Sequence, residues 1–273
     1  MSYIFPLYTQ RQASTVSLED CLDRRGFCFN VANPTHLPVV PGHDFVGHVV
    51  ICGSEVDSIK AGDRVAGIVR NGGNSRFLSV SHTHLVKVPR KVDSAEAAAI
   101  VSTYTSAYHA LKSVSSDQEP TVFTLENKVV LVVGGMYPIS QALIQMCRKA
   151  KAKVYATAPE HRHAYLKNVL GAVPLPESSK EWVRAVCGRM DYVFDGVNED
   201  GLVVAAKALK KDGKIMCFGH AALLKEKEIG VFGAPMTARV NKFWSKYVIG
   251  ATELDIWKVF EHEPETYKVG SKI

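Results

Sequence analysis

The chain reads as an α/β protein of two domains: a β-rich domain, then a doubly wound parallel sheet covered by helices. Three observations carry this. Up to about Ser94 the chain holds short strand-like pieces separated by turn residues. From Lys128 apolar strand runs alternate with segments of helical periodicity, the pattern of repeated βα units. Between two such units, the run Val129-Val130-Leu131-Val132-Val133 passes directly into Gly134-Gly135 and then an amphipathic stretch ending near Lys149. The expected domains are residues 1–120 and residues 121–273.

The first domain is expected to contain strands at Phe45–Ile51, Arg64–Val69 and Leu78–Val80. Pro41-Gly42, Cys52-Gly53-Ser54, Ala61-Gly62-Asp63 and Asn71-Gly72-Gly73-Asn74 supply the turns. Ser94–Lys112 reads as a helix, with Ser94 able to cap, Glu96 in the first turn, and Ile100, Tyr104, Ala107, Tyr108 and Leu111 on one face. Ser113–Pro120 is polar and reads as a connection. Strand Val129–Val133 is followed by a helix turning Ile139, Leu143, Met146, Cys147 and Ala150 to the sheet. Then come strand Lys153–Ala156, helix His161–Leu170, strand Ala172–Leu175, a helix near Lys180–Cys187, strand Tyr192–Phe194 and helix Gly201–Leu209. Asp212-Gly213 is expected to turn into strand Lys214–Phe218. A last strand is expected around Tyr247–Ala251, and a helix over Leu254–Lys268 broken at Pro264.

The chain has 273 residues, is 47% hydrophobic and carries a formal charge of +6. That charge is spread along the sequence, with no block of five or more like charges. Nucleic-acid binding would need clustering on one face, which sequence does not reveal, so neither nucleic acid nor a membrane is the expected partner. The six cysteines form no CxxC pair, and Cys147 and Cys217 lie in apolar runs. This fits a reducing compartment. With no basic region before an apolar stretch at the start and no run approaching about 20 apolar residues, a cytoplasmic location is expected.

The Gly134–Ser140 loop stands where such a fold holds a dinucleotide pyrophosphate, on a tight turn and a helix N-terminus. Gly134, Gly135, Met136, Tyr137, Pro138 and Ile139 are therefore candidate cofactor contacts. Tyr137 brings a ring where bare backbone should approach phosphate, and Pro138 lacks a donor. After the next strand, Thr157 and Arg162, with His161 and His163 nearby, favour a ribose 2′-phosphate and hence NADPH. Glu160 weighs mildly against it, and an exposed basic helix start explains the same residues equally well.

Several motifs, in order, resemble the medium-chain dehydrogenase/reductases. Pro41-Gly42-His43-Asp44-Phe45-Val46-Gly47 is similar to their PGxExxG turn, and Gly62-Asp63-Arg64-Val65-Ala66-Gly67 to GDRVxG. Ala95–Ala99 with Tyr104–Leu111 resembles the AEAAA…TAYxAL helix. Asp191–Val197 and Lys211–Ile215 resemble two later strands. The resemblance runs from about Ser17 to Lys268, on the zinc-independent, quinone-oxidoreductase-like branch. It implies a GroES-like β domain and a Rossmann domain. It adds Ser106, in the place of the TAY threonine, and Asp195, Phe218 and Gly219 to the expected cofactor contacts.

The resemblance also implies an activity: hydride transfer from NADPH to a quinone or an α,β-unsaturated carbonyl, with no catalytic residue identified. Zinc-dependent relatives place a cysteine ligand where this chain has Ser17, so no metal is expected, and His43 and Asp44 are expected to bond within their turn. Against the family pattern both ends look short. The β domain is accordingly expected to be incomplete, its edge covered by a partner such as a second subunit in a homodimer, or the chain to be a truncated product. A second functional reading stays open: a catalytically degenerate relative acting as a binding or scaffold protein.

Overall fold

A computed structural model describes residues 7–24, 38–54, 56–115, 123–179, 181–197, 203–218 and 252–253. The chain divides into two compact units between Thr105 and Ser106, inside one long helix.

The first unit is built on a five-stranded sheet. Its strands are β1 (Leu7–Ala13), β2 (Asp44–Ile51), β3 (Arg64–Ile68), β4 (Phe77–Val80) and β5 (Leu85–Lys87), in the order β4-β1-β2-β3-β5. Every pairing is antiparallel. One face packs Phe45, Val49, Val65, Leu78 and Leu85 together, all buried. The other packs Val46, Ala66 and Ile68 against Ala97, Ala98 and Val101. The three expected strands are present, and β1 and β5 join them. β1 was missed because its residues, LYTQRQA, carry no alternation of apolar and polar side chains.

Helix α1 (Leu18–Arg24) opens with a reciprocal cap. The Ser17 hydroxyl accepts the Asp20 N–H at 3.2 Å, and the Asp20 carboxylate accepts the Ser17 N–H at 2.7 Å. Helix α2 (Ser94–Val114) is capped by Asp93 rather than Ser94: Asp93 Oδ1 accepts the N–H groups of Ala95 and Glu96 at 2.8 and 3.1 Å.

The second unit holds a six-stranded parallel sheet. Its strands are β6 (Val129–Val133), β7 (Lys153–Ala158), β8 (Val173–Pro176), β9 (Met190–Asp195), β10 (Leu209–Cys217) and β11 (Thr252–Glu253), in the order β11-β10-β9-β6-β7-β8. Strand order reverses at β6, as in doubly wound folds. The crossovers carry α3 (Pro138–Lys149), α4 (His163–Asn168), α5 (Trp182–Val186) and α6 (Val203–Ala206). β10 begins at Leu209, so Asp212-Gly213 lies inside a strand rather than in the expected turn. Its register to β9 slips between Leu209 and Lys214 to absorb them. The expected strand at Tyr247–Ala251 and helix at Leu254–Lys268 lie outside the described residues.

The core between this sheet and its helices includes Leu131, Val186, Met190, Val193 and Ala208, each essentially inaccessible. Cys147, on α3, is fully buried, and burial pushes its thiol up to about 12, so it behaves as a small hydrophobe. Edge strand β8 reads Val-Pro-Leu-Pro.

Candidate functional site

In a parallel sheet the strands all end on one side, and ligands bind beyond those ends where strand order reverses. Here that point is the end of β6, where Gly134 follows Val133. Gly134 adopts φ +74°, a conformation that only glycine takes freely. A Cβ at this position would meet Val197 Cγ2 at 2.6 Å and the Tyr137 ring at 2.9 Å.

The turn is held from β7 by one residue. The Thr157 hydroxyl, buried, accepts the Gly134 N–H at 2.8 Å, and the Thr157 carbonyl accepts the Gly135 N–H at 2.7 Å. The Tyr137 N–H returns to the Gly134 carbonyl at 3.2 Å. Met136 offers its carbonyl to the Gln141 amide at 2.9 Å.

Helix α3 starts with Tyr137 as N-cap and Pro138 in its first turn, and no side chain caps it. The first N–H groups of an α-helix have no partner within it. Pro138 has no N–H, while Ile139 and Ser140 present theirs at this end. The Ser140 hydroxyl is fully buried and makes no hydrogen bond. It sits beside Gly196 at the end of β9, where a Cβ would lie 2.9 Å from Ser140 Oγ and 3.0 Å from the Phe218 ring. Ser140 ends the loop already read from the sequence, and Gly196, which was not singled out there, belongs to the same site. The only sequence signal was the Asp195-Gly196 pair at a strand end.

The remaining candidates distribute as follows. Asp195 is buried, and its Oδ1 accepts the Val197 N–H at 2.8 Å. The Phe218 N–H donates to the Asp195 carbonyl at 3.0 Å. Thus Gly134, Gly135, Tyr137, Thr157, Asp195 and Phe218 converge on the ends of β6, β7, β9 and β10. Arg162 is exposed in the 3-10 turn Glu160–Arg162 that follows β7. His163 Nε2 lies 3.0 Å from the Ala158 carbonyl. Ser106 is a buried residue of α2 and belongs to no strand end. Gly219 lies outside the described residues.

In the first unit, the Asp44 carboxylate accepts the Thr15 N–H at 2.8 Å, the Thr15 hydroxyl at 2.6 Å and the Ser102 hydroxyl at 2.7 Å. His43 Nε2 lies 3.4 Å from Asp23 and 3.8 Å from Asp20. Burial raises the Asp23 carboxyl above its ordinary value, with His43 opposing. Asp20 is committed to the Ser17 and Gly42 N–H groups. Position 17 thus offers a hydroxyl, and the Asp20 and Asp44 carboxylates already accept from backbone N–H and hydroxyl donors. Among the described residues no group of three or more His, Cys, Asp or Glu is placed to hold a metal ion, and no helix is long and apolar enough to cross a membrane.

Comparison with known proteins gives the same two parts. Residues 10–90 match the family model described as the alcohol dehydrogenase GroES-like domain, and residues 138–255 the one described as zinc-binding dehydrogenase. A quinone oxidoreductase-like protein 2 from Bos taurus is 29% identical over 192 residues, 68% of this chain and 53% of the relative. A 2-methylene-furan-3-one reductase from Solanum lycopersicum is 28% identical over 196 residues, 68% of this chain and 48% of the relative. The chain thus spans about half the length of these curated relatives. The crystal structure of CurK enoyl reductase superposes with a TM-score of 0.78 at 18% identity, covering 98% of this chain and 77% of that one. Its likeness is one of fold. With both family models matched in order over the two units, the chain belongs to the medium-chain dehydrogenase/reductase superfamily, on its quinone-oxidoreductase-like branch.

Proposed function

We propose that the protein binds NADPH beyond the carboxyl ends of the second unit's strands and reduces a quinone or an α,β-unsaturated carbonyl, without zinc. The observation that carries this is the left-handed Gly134 turn leading into the uncapped first turn of α3 at the reversal of strand order. Ile139 and Ser140 N–H groups, with the positive end of the helix dipole, suit a pyrophosphate. The unbonded Ser140 hydroxyl adds a donor beside them. Arg162, exposed after β7, suits the ribose 2′-phosphate. The cofactor would supply the hydride. The chain's part is to fix its position and to hold the acceptor against it.

One residue stands against easy entry. The Tyr137 ring lies over Gly134, the position the phosphates approach, so binding requires that ring to swing away. Tyr137 is 37% exposed, which leaves it room to do so. The same ring supports the second reading, a relative that has lost catalysis and acts as a binding or scaffold protein.

The deciding experiment is titration of the purified protein with NADPH, followed by cofactor fluorescence, then turnover assays with a soluble benzoquinone and a short enone. Saturable binding with turnover establishes the reductase. Absence of both establishes the non-catalytic reading. Elemental analysis finding one zinc per chain, lost on His43→Ala, would overturn the zinc-independent part.

A further inference from the structure

The charge that is dispersed in the sequence is gathered by the fold. Lys128 precedes β6, and its carbonyl accepts the Lys153 N–H at the start of β7. Lys149 and Lys151 end the crossover between those strands. Lys210 and Lys211 lie in the irregular start of β10. All six are exposed, and all stand at the amino ends of the second unit's strands, opposite the glycine turn. Against them stand Glu126, Asp191 and Asp212; Asp191 accepts the Val129 N–H and pairs with Lys210 at 2.8 Å and Lys128 at 3.9 Å, so one carboxylate is shared between two of the six lysines. Helix dipoles account for cations at the end of α3, such as Lys149. They do not account for Lys128, Lys153, Lys210 and Lys211, which sit at strand starts.

Next to this basic rim are two exposed apolar side chains, Val169 at 65% and Val173 at 41%. Gly171, between them, lies against the Arg148 guanidinium, a Cβ there being 3.2 Å from Nε. Val173 pairs with Tyr155, whose ring has Lys153 Nζ 5.2 Å from its centre. Cations and apolar side chains therefore form one surface.

We propose that this rim docks on an anionic membrane surface, the lysines meeting acidic headgroups and Val169 and Val173 entering the interface. The absence of a spanning helix among the described residues bears on insertion, whereas this is attachment at a surface. Two observations favour lipid over nucleic acid. Both guanidinium groups of the rim are engaged with backbone carbonyls, Arg148 with Ala152 at 3.1 Å and Arg189 with Ala185 at 3.3 Å, leaving lysines, which act as point charges rather than base-reading forks. Tyr155, the aromatic ring beside this surface, is half-buried against the core and has Lys153 over its ring, so it is not open for stacking.

The test is co-sedimentation of the full chain with vesicles of phosphatidylcholine alone and with phosphatidylserine as a third of the lipid. Binding is expected to the second only, and to be lost when salt is raised to roughly 1 M, where screening acts within about 3 Å. The triple variant Lys149→Glu, Lys151→Glu, Lys211→Glu should weaken it by at least about tenfold, Val169→Ser by less. The triple Lys→Arg variant should retain it, which separates lost charge from lost folding. Equal binding to both vesicles, no binding to either, or an unchanged charge-reversal variant overturns the proposal. Tighter binding to a single-stranded oligonucleotide, abolished by the same reversal, reassigns the rim to nucleic acid and overturns it as well.

Discussion

The Thr157 hydroxyl accepts the Gly134 N–H at 2.8 Å in a buried position, across 23 residues of sequence. With its carbonyl on the Gly135 N–H, Thr157 fixes the glycine turn through both side chain and backbone. Its influence on a bound dinucleotide therefore passes first through the shape of the turn.

Thr157→Val keeps the side-chain shape and leaves the Gly134 N–H unpaired. The loss should be about 1–3 kcal/mol, read as a lower urea midpoint, and Thr157→Ser should restore most of it. NADPH affinity should fall and recover with the same two variants. Stability that changes while affinity does not would confine Thr157 to the fold.

Glycine at positions 137, 138 and 140 together should tighten NADPH binding. It removes the ring over Gly134 and returns an N–H at position 138. Each new glycine within the helix costs roughly 0.5–1 kcal/mol in backbone entropy, so circular dichroism must accompany the dissociation constants. A wild type that already binds as well as the triple variant would show that the ring is no obstacle.

Arg162 is expected to distinguish the two nicotinamide cofactors. Calorimetry should find NADPH tighter than NADH, and Arg162→Ala should narrow that gap chiefly by weakening NADPH. Equal affinity in the wild type would remove the 2′-phosphate assignment.

Asp191 links strand starts rather than strand ends. Burial alone would raise its carboxyl, but the Lys210 ammonium at 2.8 Å and the Val129 N–H at 2.8 Å hold it below its ordinary value. A carboxyl depressed in the folded state stabilises above the unfolded value, about 3.9, and loses that contribution as pH falls through the folded one. Asp191→Asn should lower the thermal midpoint at neutral pH. Its difference from wild type should close in acid. A difference constant with pH would assign the effect to packing.

The βα units of the second unit were legible because each pairs an apolar run with a helical period, as in Val129–Val133 followed by Ile139, Leu143 and Met146. The position of the candidate site followed from that order. Its internal bonding did not. Nothing in the sequence says that Thr157 turns its hydroxyl to Gly134, since that depends on the register placing Thr157 beyond Ala156, which pairs with Val132. Ser140 read only as the end of the glycine loop, and packing against Gly196 is what reveals a buried hydroxyl without a bond. The charge rim was likewise invisible, because its lysines are separated in sequence and meet only where strands begin.

Prolines at β8 decide how the second sheet meets other chains. The Glu177 N–H donates to the Ala158 carbonyl at 3.1 Å. Alternation along a strand then points the donors of Val173 and Leu175 inward and positions 174 and 176 outward. Both outward positions are proline. This border offers no donor at either place, so an incoming strand finds no ladder to extend there. Strand addition, and the aggregation it leads to, is suppressed at this border by composition alone.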